Sequence, residues 1–206
     1  MAKARIATTS WAGCFGCHMA ILDIDERLIA RMERVDFDRY PLTDLKTFTQ
    51  RCDIGIIGDG CCNEDKVHAR LGFRKNCDML IALGQCGIMG GLTAMRNAIV
   101  HSGGSLRDCL EETCTWGPCL RNLTRMAPND PALPLVLDKV CPCSDIVDID
   151  CQIPGCAPAS DIIFSMLVGL LDGKFHGFHR ETLRFGQKGC PMTESRLMEI
   201  SPLTGV

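Results

Sequence analysis

The sequence has 206 residues, 46% of them hydrophobic and 23% charged, with a net charge of −3. A chain of this length can bury one large core, so we expect one domain with appendages. The charge supplies no basic field for nucleic acid. The longest apolar run near the C-terminus, residues 162–171, is about half as long as a membrane span requires. Residues 1–7 contain neither the apolar run of a secretory signal nor a twin-arginine pair, so we expect a cytoplasmic protein.

Fifteen cysteines are an unusual load for such a chain. Disulfide frameworks belong to small secreted domains, whereas this chain is neither small nor apparently secreted, and its cysteine count is odd. In a reducing cytosol, cysteines serve as metal or cluster ligands, as redox groups or as buried thiols. A metal site needs only three or four ligands, so most of the fifteen must have another role.

The first half of the chain alternates between strand and helix patterns. Residues 4–9 are β-prone, residues 20–32 have apolar side chains at helical spacing, and residues 35–37 predict a short second strand. Residues 52–60 predict an apolar strand that ends in a Gly-Asp-Gly turn. We therefore expect a β-α-β unit at the start of a larger sheet.

The pattern continues with a helix over 63–75 capped by Asn63 and a buried strand over 78–84. A glycine-rich turn over 85–91 and a helix over 92–101 follow. Apolar strands that alternate with helices predict an α/β fold, a doubly wound parallel sheet arranged like a flavodoxin.

The second half is less regular. We expect an irregular excursion over about 102–143, partly helical around 106–113, and then a strand over 144–150. A helix should begin near Pro158 and end at Gly173. These boundaries predict a flavodoxin-like iron–sulfur domain over 1–173, for the reasons given next. The remaining residues, 174–206, should form a tail that packs against the domain or a partner.

Four cysteines are each flanked by glycine and each follow a strand or turn: Cys14, Cys17, Cys86 and Cys156. The carboxyl ends of parallel strands meet at one edge of a sheet, so these distant loops can come together. Four thiolates from separate loops suit a [4Fe-4S] cluster, because glycines let the backbone approach and donate N–H groups to sulfur. A structural zinc site is an alternative of about equal weight at this point.

Three motifs occur in an order that resembles the small subunit of [NiFe] hydrogenases, and together they span roughly residues 5–172. They are Cys14-x-x-Cys17 after the first strand, Gly84-x-Cys86-x-x-x-Gly90-Gly91-x-x-Ala94-x-x-Asn97, and Ile153-Pro154-Gly155-Cys156-x-Pro158. The resemblance implies that Cys14, Cys17, Cys86 and Cys156 hold the one cluster nearest the Ni-Fe centre, which a separate large subunit binds. The chain would then relay electrons.

Two features are similar to the soluble, bidirectional NAD-reducing branch. The chain has neither the twin-arginine leader nor the two-cluster C-terminal domain of membrane-bound relatives, and His18-Met19 stands where those relatives tend to have Ser-Glu. In that branch, a diaphorase module contains further iron–sulfur clusters, FMN and the NAD site. The reaction implied for the complex is H2 + NAD+ ⇌ H+ + NADH. The lack of G-x-G-x-x-G after the first strand agrees with a dinucleotide bound elsewhere.

The other cysteines have weaker patterns. Cys61-Cys62 resembles the adjacent ligands in the quinone-reducing subunit of complex I, but Cys14 and Cys17 already supply those places, so we expect residues of a helix start. Cys151 competes with Cys156, and the Pro-Gly-Cys-x-Pro context favours Cys156. Three cysteines repeat at a spacing of five residues, which has no usual ligand geometry on a helix: Cys109, Cys114 and Cys119. Buried or incidental thiols are expected at Cys141, Cys143 and Cys190.

Two rival functions remain open. A Cys-x-x-Cys loop with Trp11 nearby is typical of a thiol–disulfide oxidoreductase, although Trp11 lies three residues before Cys14 rather than beside it. A flavodoxin-like FMN carrier would use hydroxyl groups after the first strand, and Thr8, Thr9 and Ser10 lie there. His18 is expected to be structural or interfacial, and Trp11 either packs beside the loop or faces the large subunit. We expect that subunit to cover the face bearing Cys14 and Cys156.

Overall fold

The computed structural model describes residues 3–30, 32–41, 46–116, 121–124, 126–127 and 130–172. The strands are β1 (Ala4–Thr9), β2 (Val35–Arg39), β3 (Cys52–Gly58), β4 (Cys61–Asn63), β5 (Cys77–Leu83), β6 (Val136–Cys141) and β7 (Cys151–Ile153). The α-helices are α1 (Gly16–Leu22), α2 (Glu26–Ile29), α3 (Glu64–Asn76), α4 (Gly84–Met89), α5 (Asn97–His101), α6 (Leu106–Glu111) and α7 (Ser160–Leu171). Short 3-10 turns lie at Met32–Arg34, Gly91–Arg96 and Cys143–Asp145, and a π-turn lies at Glu112–Trp116.

Five strands form one parallel sheet in the order β2-β1-β3-β5-β7. Alternate side chains of β5 pack on opposite faces. Ile81 and Leu83 join a cluster with α1 and α7, whereas Leu80 and Ala82 join a cluster with Phe73 of α3. Each fully buried aliphatic side chain contributes about 1.5–3 kcal/mol to this packing. The predicted α/β, doubly wound parallel sheet is confirmed.

The two remaining strands, β4 and β6, form an antiparallel pair in which Cys61 lies opposite Cys141. The prediction that Cys61 and Cys62 start a helix is therefore wrong. They extend into a strand, and Asn63 then caps α3 by accepting a hydrogen bond from the Lys66 amide at 3.1 Å. The excursion predicted over 102–143 is also more ordered than expected, because its last residues supply β6.

The single helix predicted over 20–32 is wrong. Helix α1 begins four residues earlier, at Gly16, and ends at Leu22, and α2 is a separate turn. The break comes at Asp25, whose φ of 61° and ψ of −139° are far from helical values. Ile24 is nevertheless buried in the core. The helical spacing of the apolar residues thus continues through a turn and does not mark one continuous helix.

The strand predicted over 144–150 is also wrong. The apolar residues of this stretch pack into the core from an irregular segment after the 3-10 turn, and they are Ile146, Val147 and Ile149. The strand is Cys151–Ile153. Asp150 explains why β7 starts only at Cys151. Its carboxylate takes the place of a backbone carbonyl in the hydrogen bonding between β5 and the segment before β7. It accepts the Leu80 amide at 2.8 Å and Arg74 Nη1 at 2.6 Å.

The remaining elements agree with the sequence patterns in part. The turn predicted over 85–91 contains α4, and the helix predicted over 92–101 begins as a 3-10 turn before α5. Helix α7 starts at Ser160 and reaches Leu171, close to the prediction. The predicted tail over 174–206, including Cys190, lies outside the described residues, as does Cys119. Among the helices that the structure describes, none is long and apolar enough to cross a membrane.

We expect Asp150→Ala to lower the free energy of unfolding by about 2 kcal/mol, because the Leu80 amide loses its acceptor inside the protein and Arg74 loses its ion-pair partner. Urea denaturation followed by circular dichroism measures the change. Asp138→Ala is the control: Asp138 is exposed on β6, and its replacement should change stability by less than about 0.5 kcal/mol. Equal effects of the two substitutions would contradict the role of Asp150.

Candidate metal centre

The four predicted cysteines lie in three loops at the carboxyl edge of the parallel sheet. Cys14 lies between β1 and α1, and Cys17 is in the first turn of α1. Cys86 is on α4 directly after β5, and Cys156 follows β7. Cys14 and Cys156 are exposed, whereas Cys17 and Cys86 are half-buried.

These four thiols are close enough to influence one another electrostatically. Burial raises the pKa of the Cys17 thiol to about 12, and negative charge on Asp59, Cys14, Cys86 and Cys156 adds to the increase, in that order. The structure therefore brings together all four cysteines of the predicted set. A bound cation would favour the ionised form of Cys17, because metal binding stabilises thiolates.

Glycines line the cysteine sulfurs at distances that no side chain would allow. A Cβ on Gly84 would lie 2.2 Å from Cys17 Sγ, and one on Gly91 would lie 2.6 Å from Cys86 Sγ. Both glycines have positive φ, +80° and +50°. A Cβ on Gly16 would lie farther away, 3.3 Å from Cys14 Sγ, and the Gly16 N–H donates to that sulfur at 3.4 Å. Backbone thus approaches three of the four sulfurs directly.

Hydrogen bonds also tie the separate loops together. The Gln85 amide at the start of α4 donates to the carbonyl of Gly155 at 2.9 Å, which joins the Cys86 and Cys156 loops. The Gly90 amide donates to the carbonyl of Cys86 at 2.8 Å and ends α4. Asn97, the last residue of the second motif, exchanges two hydrogen bonds with the backbone of Val140 on β6. The spacing of that motif therefore fixes the position of α4.

Asp59, which follows β3, anchors the loop that leads to Cys14. It is 4% exposed and has a left-handed φ of 65°. Its Oδ2 accepts the Trp11 amide at 2.6 Å and the Ser10 hydroxyl at 2.5 Å. A Cβ on Gly13 would lie 1.9 Å from Asp59 Oδ1, so only glycine fits there. The sequence analysis did not single out Asp59, although a charged residue between two glycines at the end of a buried strand was a signal.

Arg70 of α3 lies behind Asp59 and is completely buried. Its Nη2 donates to the carbonyl of Asp59 at 2.8 Å, its Nε donates to Cys143 Sγ at 3.4 Å, and its Nη1 donates to the carbonyl of Lys66 at 3.2 Å. The guanidinium also stacks on the ring of Trp11, with Cζ 4.5 Å from the ring centroid. Trp11 therefore packs beside the loop. No periodic or motif signal in the sequence identified Arg70.

His18 is buried within the domain, in agreement with its structural interpretation. Its Nε2 lies 3.2 Å from Thr8 Oγ1, and its ring stacks on Phe15 with centroids 5.0 Å apart. Burial lowers the pKa of His18, and the charge of Asp59 offsets part of this decrease. His18 therefore fills the space under α1.

The remaining described cysteines lie in the parallel sheet, in β4 and β6, in the 3-10 turn after β6, or in α6 and the turn after it. Cys151 is a buried residue of β7 that packs in the core, and burial raises its pKa to about 11, which agrees with the choice of Cys156. Cys61, Cys141 and Cys143 surround Arg70, whose charge lowers the pKa of each thiol while burial raises it more. Cys52 and Cys77 are buried neighbours on β3 and β5.

The structure bears on the three alternatives to an iron–sulfur cluster. A thiol–disulfide enzyme needs only the Cys14 and Cys17 pair, whereas here Cys86 and Cys156 also lie near Cys17. Among the described residues, no three His, Cys, Asp or Glu side chains converge closely enough for a single metal ion such as zinc. The Ser10 hydroxyl and Trp11 amide, which would be donors to an FMN phosphate, are already bound to Asp59.

Comparisons with known proteins identify the family of this chain. A family model described as NADH ubiquinone oxidoreductase, 20 Kd subunit, matches residues 14–170. NAD-reducing hydrogenase HoxS subunit delta of Cupriavidus necator is 38% identical over 173 residues, which cover 84% of this chain and 80% of that protein. The chain belongs to this family, in the branch of small subunits of NAD-reducing [NiFe] hydrogenases. The family predicted from the three motifs is confirmed.

Two further comparisons show how much of each relative this hydrogenase small subunit covers. A chain in the crystal structure of an NAD+-reducing [NiFe]-hydrogenase in the H2-reduced state matches it with a TM-score of 0.77 and 43% identity, over 89% of this chain and 99% of that chain. One subunit of an F420-non-reducing hydrogenase from Methanococcus voltae is 30% identical over 173 residues, or 84% of this chain and 58% of that protein. The small subunit therefore spans little more than half of the methanogen relative.

We expect Arg70→Met to lower the free energy of unfolding by about 3 kcal/mol, because the buried carbonyl of Asp59 loses its donor. Chemical denaturation monitored by tryptophan fluorescence also reports the loosened contact with Trp11. Arg107→Met is the matched control, since Arg107 pairs only with Glu111 on the exposed side of α6 and exposed pairs contribute little. A similar loss in both variants would argue against Arg70 as the support of the site.

Proposed function

We propose that this chain transfers electrons through one [4Fe-4S] cluster held by Cys14, Cys17, Cys86 and Cys156. The observation that carries the proposal is the convergence of these four thiols from three loops onto one edge of the sheet. A four-cysteine set is the usual ligand set of such a cluster, which supplies reversible one-electron transfer when bound. The glycine-lined arrangement suits a cluster, because the four cysteine ligands of a cluster are farther apart than the ligands of a single metal ion.

The chain contributes ligands, backbone donors and rigidity. The four sulfurs would hold iron, and the Gly16 amide, which already donates to Cys14 Sγ, would stabilise thiolate charge. Asp59 and Arg70 keep the Cys14 loop in place, and the bond between Gln85 and Gly155 keeps the other two loops together. Such fixed geometry limits the rearrangement that accompanies a change of charge.

Electrons would pass between the Ni-Fe centre of a large subunit and a diaphorase module, so that the complex catalyses H2 + NAD+ ⇌ H+ + NADH in the cytoplasm. The name of the Cupriavidus necator relative, an NAD-reducing hydrogenase, supports this assignment. We place the further clusters, FMN and the NAD site on the diaphorase subunits. The donors of the first loop of this chain are bound to Asp59, which leaves that loop unsuited to phosphate.

A partner should cover the exposed cysteines. Apolar side chains near the thiols are also exposed: Met19 lies two residues after Cys17, and Met89, Leu92 and Met95 lie within nine residues of Cys86. Exposed methionines and leucines beside a functional group are typical of an interface. We propose that the large subunit docks on this face.

The decisive measurement is the iron, acid-labile sulfide, zinc and flavin content of the anaerobically purified complex and of the isolated chain, with an electron paramagnetic resonance spectrum after reduction. The proposal expects about four irons and four sulfides per chain. Colourless protein with zinc, with a titratable disulfide, or with stoichiometric flavin and no iron would refute it.

Serine at any one of the four positions, Cys14, Cys17, Cys86 or Cys156, should reduce the iron content of the chain by at least half, because a hydroxyl is a poorer ligand for iron than a thiolate. The control is Cys62→Ser, which changes a half-buried cysteine on β4 and should leave iron unchanged. Iron loss from Cys62→Ser, with iron retained in Cys156→Ser, would mean that the ligand set is different.

Gly84→Ala should also lower iron content severalfold, because the added Cβ would meet Cys17 Sγ and a φ of +80° is unfavourable for alanine. Gly72→Ala provides a strict control. Gly72 lies in α3 with nothing within 4 Å of the added Cβ, so alanine should be neutral or stabilising there. A normal iron content in the Gly84→Ala chain would show that iron binding does not depend on the close approach of Gly84 to Cys17 Sγ.

A further inference from the structure

Asp59 lies between the cysteine loops rather than at their side. It follows β3, which is paired with β1 on one side and β5 on the other. Strand β1 leads to Cys14 and Cys17, and β5 leads to Cys86. The carboxylate is therefore held at the centre of the sheet edge where the thiols converge, in a position that is 4% exposed.

The hydrogen bonds of Asp59 fix its charge without cancelling it. Both donors to Oδ2, the Trp11 amide and the Ser10 hydroxyl, are neutral. The nearby guanidinium of Arg70 binds the backbone carbonyl of Asp59. None of the ion pairs among the described residues includes the Asp59 carboxylate.

We propose that Asp59 is a positioning residue that lowers the reduction potential of the cluster by holding a buried negative charge between the loops that carry Cys14 and Cys86. This inference rests on the proposed function, since it requires a cluster on the four thiols. Reduction adds an electron to the site, and a fixed negative charge in a water-poor environment makes that addition less favourable. The fold thus contains a charge whose sign favours donation of electrons.

Close contacts with residues next to two of the ligands support the importance of this charge. A Cβ on Gly13, the residue before Cys14, would lie 1.9 Å from Asp59 Oδ1. A Cβ on Gly87, the residue after Cys86, would lie 3.5 Å from the Asp59 amide nitrogen. A charge held this close to two ligand loops should affect an electron added to the cluster.

Asp59→Asn tests the inference because asparagine retains the shape and an acceptor oxygen but removes the charge. In the purified complex, we expect iron and sulfide to stay at their original content and the midpoint potential to move to a more positive value. A redox titration monitored by electron paramagnetic resonance measures that potential. Asp59→Glu should restore a potential close to that of the original protein.

Asp53→Asn is the matched control. Asp53 lies on the same strand but is exposed at its other end, about 20 Å from Asp59 for six residues of extended chain. The Asp53→Asn substitution removes the same charge at a position where solvent screens it, so the reduction potential of the cluster should not change. A second variant, Ser10→Ala, keeps the Asp59 charge but removes one donor from it, and should move the potential in the opposite direction.

Three outcomes separate the hypotheses. An iron-loaded Asp59→Asn complex with an unchanged potential overturns the inference and leaves the proposed function intact. If that variant loads iron poorly, Ser10→Ala decides, and an unchanged potential there overturns the inference. Absence of a reducible cluster from the original complex refutes the proposed function itself.

Discussion

The hydrogen bonds from Ser10 and Trp11 to the Asp59 carboxylate fasten the first cysteine loop to the central strand of the sheet. Without them, the loop between β1 and α1 would have free donors and no fixed path, because Gly13 and Gly16 give it little intrinsic stiffness. Arg70 reinforces the arrangement from the opposite side by binding the Asp59 carbonyl and stacking on Trp11. Two buried charged residues thus connect the thiol site to α3 and to the core beneath it.

Burying these groups is costly unless each polar atom finds a partner. The structure meets that requirement through backbone groups: a carbonyl for Arg70 and an amide for Asp59. This arrangement differs from a direct ion pair, in which the two charges would largely cancel. It leaves the Asp59 carboxylate against the loop that leads to Cys14 and the Arg70 guanidinium against Cys143.

The sequence was informative where a residue's role depends on local patterning. Runs such as 78–84 predicted buried strands, and glycine next to cysteine predicted the loops that meet at the sheet edge. It failed where a side chain replaces backbone, as Asp150 does beside Leu80, and where an aspartate with positive φ interrupts a helix, as Asp25 does. Asp59 and Arg70 were missed because their roles depend on contacts 11 to 49 residues distant in the chain. The boundary at 173 stays a prediction.

The exposure of Cys14 and Cys156, set against the half-buried Cys17 and Cys86, imposes an order on biogenesis under the proposed function. Cys14 and Cys156 mark the outer side from which iron and sulfide would reach the site, whereas the sheet and the buried Asp59 lie on the inner side. A docked large subunit would cover that same outer side. Under the proposed function, iron and sulfide must therefore be delivered before the subunits associate. The finished complex would then retain its cluster partly because the side through which iron entered is buried in the interface.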